Sequence, residues 1–476
     1  FHVTQTNVCV TSREPSLQKD FAVSSLQSLV KKGMQQIMTE QEKLWFDALT
    51  SYRSKGADLL EEPFMRGVQR SVVDKYSDQA HFIYELLQNA DDVKATTAKF
   101  ILETNGLYFV HSGSVRFTVS NPQNEGTDTS NGTLGHINAI TSIANSNKTG
   151  ASIGKFGVGF KAVFQYTQTP HIYDPEIKFK IERFIVPSML DADLDWRKSS
   201  ETVFFFPFDH KNKHPQESHD EILKKLQALE FPVLFLSNLE SVSFEAGKVT
   251  GKYTKEITRE VTQGDITVQW ITLALEVDGE RADHKLLAFT RKNGAGYSNS
   301  ISYSLGSDGR LIPINRPAFC FFPTKEVTNL NFIIQAPFLL TDSREGIKAG
   351  ETHNQELVQQ LAQLAADSLP TLREEHLIDD GILDIIPYDE SRFNELNDSS
   401  KISFKPFFTA IKDRIQSDIL LPVENGVCSS KSQSYWASDN ELVSLFSDKQ
   451  LEQLTGTENA HRTIRSRGWK EVQNSN

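Results

Sequence analysis

The chain has 476 residues, 38% of them hydrophobic and 24% charged, which excludes a disordered polymer and is too long for one core, so two or three domains are expected. Its 62 acidic and 50 basic residues leave a net charge of −12, which disfavours nucleic acid as a partner except at a local basic groove. Three scattered cysteines, Cys9, Cys320 and Cys428, make neither a zinc pair nor a disulfide framework and fit a reducing, intracellular, cytoplasmic setting; no apolar run approaches the length of a membrane span.

In chain order, residues 1–37 read as an N-terminal extension, polar and patternless over 1–15. Apolar positions Leu26, Val30, Met34, Ile37, Leu44 and Ala48 recur at helical spacing, predicting helix over about 17–60, and a second helical stretch covers 68–93. Strand-like runs follow at 98–102, 107–111 and 115–120. Residues 122–153 are dense in Asn, Ser, Thr and Gly, with one apolar helical patch at Leu134, Ile137, Ile140 and Ile143; this composition predicts a lid. Strands at 177–186 and 202–208 close a first domain, 38–210, and the polar stretch 210–218 reads as a linker.

A second α/β domain, 211–385, is expected from a helix at 220–229, strands at 239–244, 266–275, 285–290, 318–322 and 331–336, and a helix at 352–372. The acidic stretch 379–400 leads into a C-terminal helical region, 386–476. The chain opens at Phe1 rather than Met and stops in a polar run, so it reads as a segment of something longer.

Two segments carry chemistry. On a helix each residue turns 100°, so Asn89 and Asp92 fall at about 40° and 340° from Glu85, all within roughly 60° of arc. One face then offers two carboxylates and an amide oxygen, which suits a hard cation and a water-orienting base. The second segment is Gly154-Lys155-Phe156-Gly157-Val158-Gly159-Phe160. Its glycines allow close backbone approach, and a helix after it would aim free N–H groups at an anion. Lys155 and, upstream, Lys148 could add positive charge there. Each feature alone also fits a bland reading: a solvated helix face, a tight turn, two surface lysines.

In order and wording, these segments resemble the ATPases of the gyrase, histidine-kinase, chaperone and MutL (GHKL) superfamily. The shared pattern is an E-x-x-x-N-x-x-D helix, a lid, then G-x-x-G-x-G-F. The phrase Gly-Lys-Phe-Gly-Val-Gly-Phe is close to that of the large heat-shock chaperones, and the stretch from Ile153 to Pro175 looks like the sacsin and NO VEIN branch. The resemblance is strong over 68–208 and weaker through Phe322-Pro-Thr324 and 336–345.

The resemblance implies an α+β fold of Bergerat type, an α/β sandwich whose mixed, mostly antiparallel sheet is covered on one face by helices. ATP and Mg2+ would lie between the helices and the lid. Residue by residue, it implies Glu85 as the base that positions water, Asn89 as the magnesium ligand and Asp92 as an indirect contact. Gly154, Gly157 and Gly159 would face the phosphates, and Thr202 would sit near the adenine. The family's D-x-G-x-G motif is not present as written; its best counterpart is His111-Ser112-Gly113, the alternative Ser120-Asn121. Arg344, before Glu345, resembles an arginine that reaches the γ-phosphate.

The implied function is Mg-ATP binding with slow hydrolysis, driving lid closure and domain rearrangement as a chaperone-like or switch ATPase. The implied partners are a protein client and a second copy of the chain. Two alternatives stand beside it: an ATP-binding interaction module with negligible turnover, and a nucleic-acid-linked ATPase of the MutL or gyrase kind.

Overall fold

The first described helix, α1 (Glu40–Glu61), begins in a capping box: the Glu42 N–H donates to Thr39 Oγ1 at 3.2 Å and the Thr39 N–H donates to Glu42 Oε2 at 2.8 Å. Its buried positions, Phe46, Leu49, Arg53, Ala57 and Leu60, keep the spacing of one helical stripe. The computed structural model describes residues 38–65, 67, 81–143, 159–292, 298–341, 345–379, 381–393, 401–423, 427–435, 446–456 and 461–462. The 17–37 part of the expected first helix lies outside them, and the second expected helix is described as α2 (His81–Asp92).

The chain is mixed α+β. β1 (Thr97–Glu103) and β2 (Gly106–His111) form a tight antiparallel hairpin with Leu102 opposite Leu107. Two short helices follow, α3 (Glu125–Asn131) and α4 (His136–Ile140), then a 3-10 helix at Gly159–Gln165. β3 (His171–Tyr173), β4 (Lys178–Glu182), β5 (Val186–Met189) and β6 (Thr202–Pro207) complete this half of the sheet. α5 (Pro215–Gln227) precedes a run of long strands: β7 (Ser241–Ala246), β8 (Val249–Gln263), β9 (Ile266–Val277), β10 (Glu280–Lys292) and β11 (Ser298–Leu305). Short pieces β12 (Leu311–Ile312), β13 (Phe319–Cys320), β14 (Phe322–Pro323) and β15 (Ile333–Gln335) lead to α6 (Thr352–Glu374), α7 (Ile382–Ile385) and α8 (Lys405–Ser417).

Among the described residues these strands join into one sheet, in the order β14-β13-β15-β11-β10-β9-β8-β7-β1-β2-β6-β3-β4-β5, with β12 on β11. The join between the two halves is the parallel pairing of β1 with β7, Thr97 opposite Ser241 through Leu102 opposite Ala246. Side chains alternate across the strands, so each face builds its own core. Leu286, Ala288 and Ile333 point to one face and share a core with α1, α2 and α5. Leu287, Phe289, Ile301 and Ile334 point to the other and pack under α6 and α8. Helices therefore lie on both faces. No described helix is long and apolar enough to cross a membrane.

Four details depart from the sequence reading. Residues 115–120 form no strand; their backbone is taken up by the start of α4, where the Ile137 N–H donates to Thr118 O at 3.0 Å and the Ser120 N–H donates to Asn138 Oδ1 at 2.9 Å. The expected strand at 177–186 is two strands, because Arg183 and Phe184 turn the chain with φ of 49° and 73°. α5 starts inside the expected linker, with His214 as cap and Pro215 in its first turn. β8 and β11 were not expected. The lid stretch 122–153 is helical over α3 and α4, and 144–153 lies outside the described residues.

Candidate functional site

α2 carries the first carboxylate–amide set. Glu85 and Asn89 are buried, 3% and 9% exposed, and Asp92 is half-buried at the C-terminal end. Phe82, Ile83, Leu86, Leu87 and Ala90 are buried around them, so the helix is covered on nearly every side. Burying a carboxylate and an amide costs free energy unless partners meet them, and this makes the face more than a solvated one.

Asp91 was not among the expected residues. It falls about 240° round the helix from Glu85, pointing away from that face. Its carboxylate accepts the backbone N–H groups of Ser237, Asn238 and Leu239 at 3.1, 2.7 and 2.8 Å, and Asn238 Nδ2 donates to Asp91 O at 3.0 Å. This side chain pins α2 to the loop before β7.

The His111-Ser112-Gly113 turn closes against the end of α2. A Cβ at Gly113 would lie 2.4 Å from Val93 Cγ2 and 2.9 Å from His111 Nδ1, so only glycine fits. The Gly113 N–H donates to His111 Nδ1 at 3.1 Å, and the Ser114 N–H donates to Val93 O at 2.9 Å. In the β2–β6 ladder His111 stands directly opposite Thr202. Both share the face of Phe109 and Phe204, the face that packs with α2. Burial, and then the Arg116 guanidinium, hold the imidazole pKa down at about 4.

Thr202 and its neighbour form a polar knot that sequence reasoning missed in part. Thr202 is fully buried, and its Oγ1 donates to Oδ2 of the equally buried Asp174 at 3.1 Å. Burial pushes the Asp174 carboxyl up, against the Glu176 N–H, the Thr202 hydroxyl and Arg116. Arg116 Nη1 donates to Gly113 O at 3.1 Å and lies 4.0 Å from Asp174. His111, Gly113, Thr202, Asp174 and Arg116 thus meet at one end of β2, β3 and β6. Asn121, the alternative reading, instead caps the turn before α3 through the Gln123 N–H at 3.0 Å.

Of the glycine segment, Gly159 opens the 3-10 helix and Phe160 is buried, its ring 6.0 Å from Phe204 and 6.2 Å from Phe206. Tyr166, just after this helix, meets Phe82 of α2 at 5.1 Å. The segment's C-terminal end is thereby held between α2 and the sheet. Lys148, Gly154, Lys155, Phe156, Gly157, Val158 and Arg344 lie outside the described residues. Glu345, beside the last of these, pairs with Lys325 at 2.8 Å.

Two further buried cations belong to this half. Arg53 of α1 reaches Glu125 at 2.7 Å, Thr141 at 3.3 Å and Asn138 O at 3.1 Å, tying α1 to α3 and α4. Lys161 is fully buried, donates to Phe184 O at 2.8 Å and lies over the rings of Phe164 and Phe184. Among the described residues no cluster of three or more His, Cys, Asp or Glu side chains could hold a metal ion.

This arrangement, a carboxylate–amide helix lying against the sheet with the glycine segment's end between them, falls in the part of the chain that matches a known family. Residues 62–180 match the family described as Sacsin domain. Over 350 residues, 64% of this chain, it is 27% identical to Protein NO VEIN of Arabidopsis thaliana, and over 160 residues, 29% of this chain, it is 26% identical to Sacsin of Homo sapiens. Those matches span 12% and 3% of the two relatives' lengths. The likeness is thus to the sacsin and NO VEIN group.

Proposed function

We propose that the chain binds Mg-ATP between α2 and the helix-facing side of β2 and β6, hydrolyses it slowly, and uses the bound nucleotide to close a lid and rearrange the chain. The observation that carries this reading is the shared face. Glu85 and Asn89 on α2, the His111–Thr202 pair and Phe160 all belong to one side of the sheet. The GHKL resemblance supplies the rest, and with it the Bergerat-type layering.

The donor set fits magnesium. This ion keeps most of its coordination in water and phosphate oxygens and takes only one or two protein ligands, so a single amide at Asn89 without an acidic cluster suits it. When bound, Mg-ATP would supply the phosphoryl group and the cation that neutralises it. Asn89 would hold the cation, and Glu85, buried beside it, would orient a water and take its proton. The backbone of Gly154, Gly157 and Gly159 would cradle phosphate oxygens, helped by Lys148 or Lys155. Arg344 would meet the γ-phosphate from the second half of the chain. A chaperone-like or switch role, a protein client and a homodimer follow from the same resemblance and are part of the proposal, as is the cytoplasmic setting that the three scattered cysteines suggest.

Phosphate release and Mg-ADP binding, measured side by side in the parent and three variants, test the assignments. Glu85→Gln should keep nucleotide binding and lose turnover by about two orders of magnitude or more. Asn89→Ala should weaken magnesium-dependent binding. Arg344→Ala should spare ADP affinity and lower turnover at least tenfold. Parental turnover in Glu85→Gln would contradict the role given to Glu85.

A further inference from the structure

α2 has a second face, one residue out of step with the first. Tyr84, Gln88 and Asp91 keep the spacing of Glu85, Asn89 and Asp92, so the two sets lie about 100° apart round the helix. The proposed nucleotide chemistry uses one set, and the other turns toward the second half of the chain. Asp91 holds the backbone of Ser237, Asn238 and Leu239. Tyr84, about 10 Å away along the axis, stacks on Phe322 with ring centroids 4.5 Å apart and planes at 23°. Gln88, between them, is buried.

Phe322 belongs to a braced hairpin. β13 and β14 pair Phe319 with Pro323 and Cys320 with Phe322, and the chain turns at Phe321 with a φ of 65°. A left-handed phenylalanine is strained and persists only where its surroundings fix it. Ala318 supplies much of that fixing: its O accepts the Thr324 N–H at 3.0 Å and the Thr324 hydroxyl at 2.7 Å, and its N–H donates to Glu326 O at 2.9 Å. Phe319 meets Phe235 edge-on at 5.4 Å, two residues before Ser237, so the hairpin and the loop that Asp91 holds also touch each other. The other end of the brace grips the chain just after residue 344. The Lys325 N–H donates to Glu345 O at 2.6 Å, and the Lys325 ammonium pairs with the Glu345 carboxylate at 2.8 Å. The Ile347 N–H donates to Glu326 Oε2 at 3.2 Å.

We propose that Tyr84 is a positioning residue for ATP hydrolysis: stacked on Phe322, it fixes the braced segment 318–326 against α2, and that segment fixes residues 345–347. Glu345 directly follows Arg344, so one rigid link joins the helix that carries Glu85 to the arginine assigned to the γ-phosphate. The role in turnover rests on that ATPase reading; the link itself rests on the contacts alone. Rings packed face to face hold both distance and tilt, which an aliphatic side chain at position 84 would not.

Two readouts test this in the whole chain, for the parent, Tyr84→Phe, Tyr84→Ala and Phe322→Ala. The first is amide hydrogen exchange in a peptide covering 345–347, without nucleotide. Exchange should quicken by about tenfold in both alanine variants and stay parental in Tyr84→Phe, which keeps the stack. The second is phosphate release beside Mg-ADP affinity. Both alanine variants should lose about tenfold or more in turnover while ADP affinity holds within about threefold. In an Arg344→Ala background Tyr84→Ala should cost nothing further, because both act through one group. A merely structural role would weaken ADP binding as well and add to the Arg344→Ala loss. The link is overturned by parental exchange at 345–347 in Tyr84→Ala and Phe322→Ala, or by exchange in Tyr84→Phe as fast as in Tyr84→Ala. The positioning role is overturned by additive losses with Arg344→Ala. A parent without turnover would sink the ATPase reading and the positioning role with it, and exchange would still decide the link.

Discussion

His111 is held neutral at physiological pH by burial and by Arg116, its pKa lying at about 4. Because Nδ1 accepts the Gly113 N–H, the ring proton sits on Nε2, and the nitrogen left for a ligand is a donor. An aspartate in the family's motif is an acceptor and suits the adenine amino group. A donor suits the adenine ring nitrogen or the guanine carbonyl oxygen instead. If the nucleotide base lies there, the parent should separate Mg-ATP from Mg-GTP by less than about tenfold, and His111→Asp should move the preference toward ATP by about five- to a hundredfold, the worth of one hydrogen bond. Paired affinity measurements check this, and an unchanged ratio would remove His111 from base recognition.

Lys161 gives a pH signature at the same scale. Burial, and then Arg53, lower its pKa to about 7 from an ordinary 10.5. Between those values the unfolded chain carries a proton that the folded one does not, so stability rises with pH across that window; below pH 7 both states are protonated and the dependence stops. From pH 7 to pH 9 the gain should be about 2 kcal/mol. Lys161→Met should abolish that gain, read as the difference between parent and variant in urea unfolding at the two pH values. Equal slopes would mean the ammonium stays charged in the fold. The sequence showed neither environment. His111 was legible at a strand end as the counterpart of the aspartate in the family's D-x-G-x-G motif, but not as a buried neutral ring, and Lys161 looked like any lysine beside a glycine loop.

At the scale of elements, α2 was legible because helical periodicity alone puts Glu85, Asn89 and Asp92 on one face. Asp91 was not, because its partners are backbone N–H groups 146–148 residues further on that no side-chain pattern announces. Asp91→Ala would orphan all three of them, and the expected loss is on the order of 3 kcal/mol in a urea melt; Asp91→Asn should recover part of it. A loss below about 0.5 kcal/mol, the scale of an ordinary surface change, would show that the loop before β7 does not depend on α2. β8 escaped the sequence reading because much of its outer half is exposed on both faces. β11 escaped it because Ser300, Ser302 and Ser304 are buried polar residues on a face that should read as apolar. Residues 115–120 misled in the opposite sense: strand-like in composition, they bond to the start of α4 rather than to a ladder.

At the scale of the whole molecule, the sheet runs unbroken from β14 to β5 through the β1–β7 pairing, and Asp91 crosses the same seam. A change at α2 therefore meets the second half of the chain through covalent connections, a strand ladder and a buried carboxylate, which suits a switch whose two halves respond together. The alternation of helices and strands made the α+β class readable. The joining of both halves into one sheet was not readable, because parallel pairing of distant strands leaves no local trace.

The most direct test of the central claim is the melting temperature of the whole chain, with magnesium present, as Mg-ATP is raised from zero to a hundredfold excess over its dissociation constant. A ligand that binds only the folded state adds about 2.7 kcal/mol at that point. A concentration-dependent rise that Asn89→Ala blunts is the predicted result; a flat melting temperature at millimolar Mg-ATP, in protein that unfolds cooperatively, would contradict it.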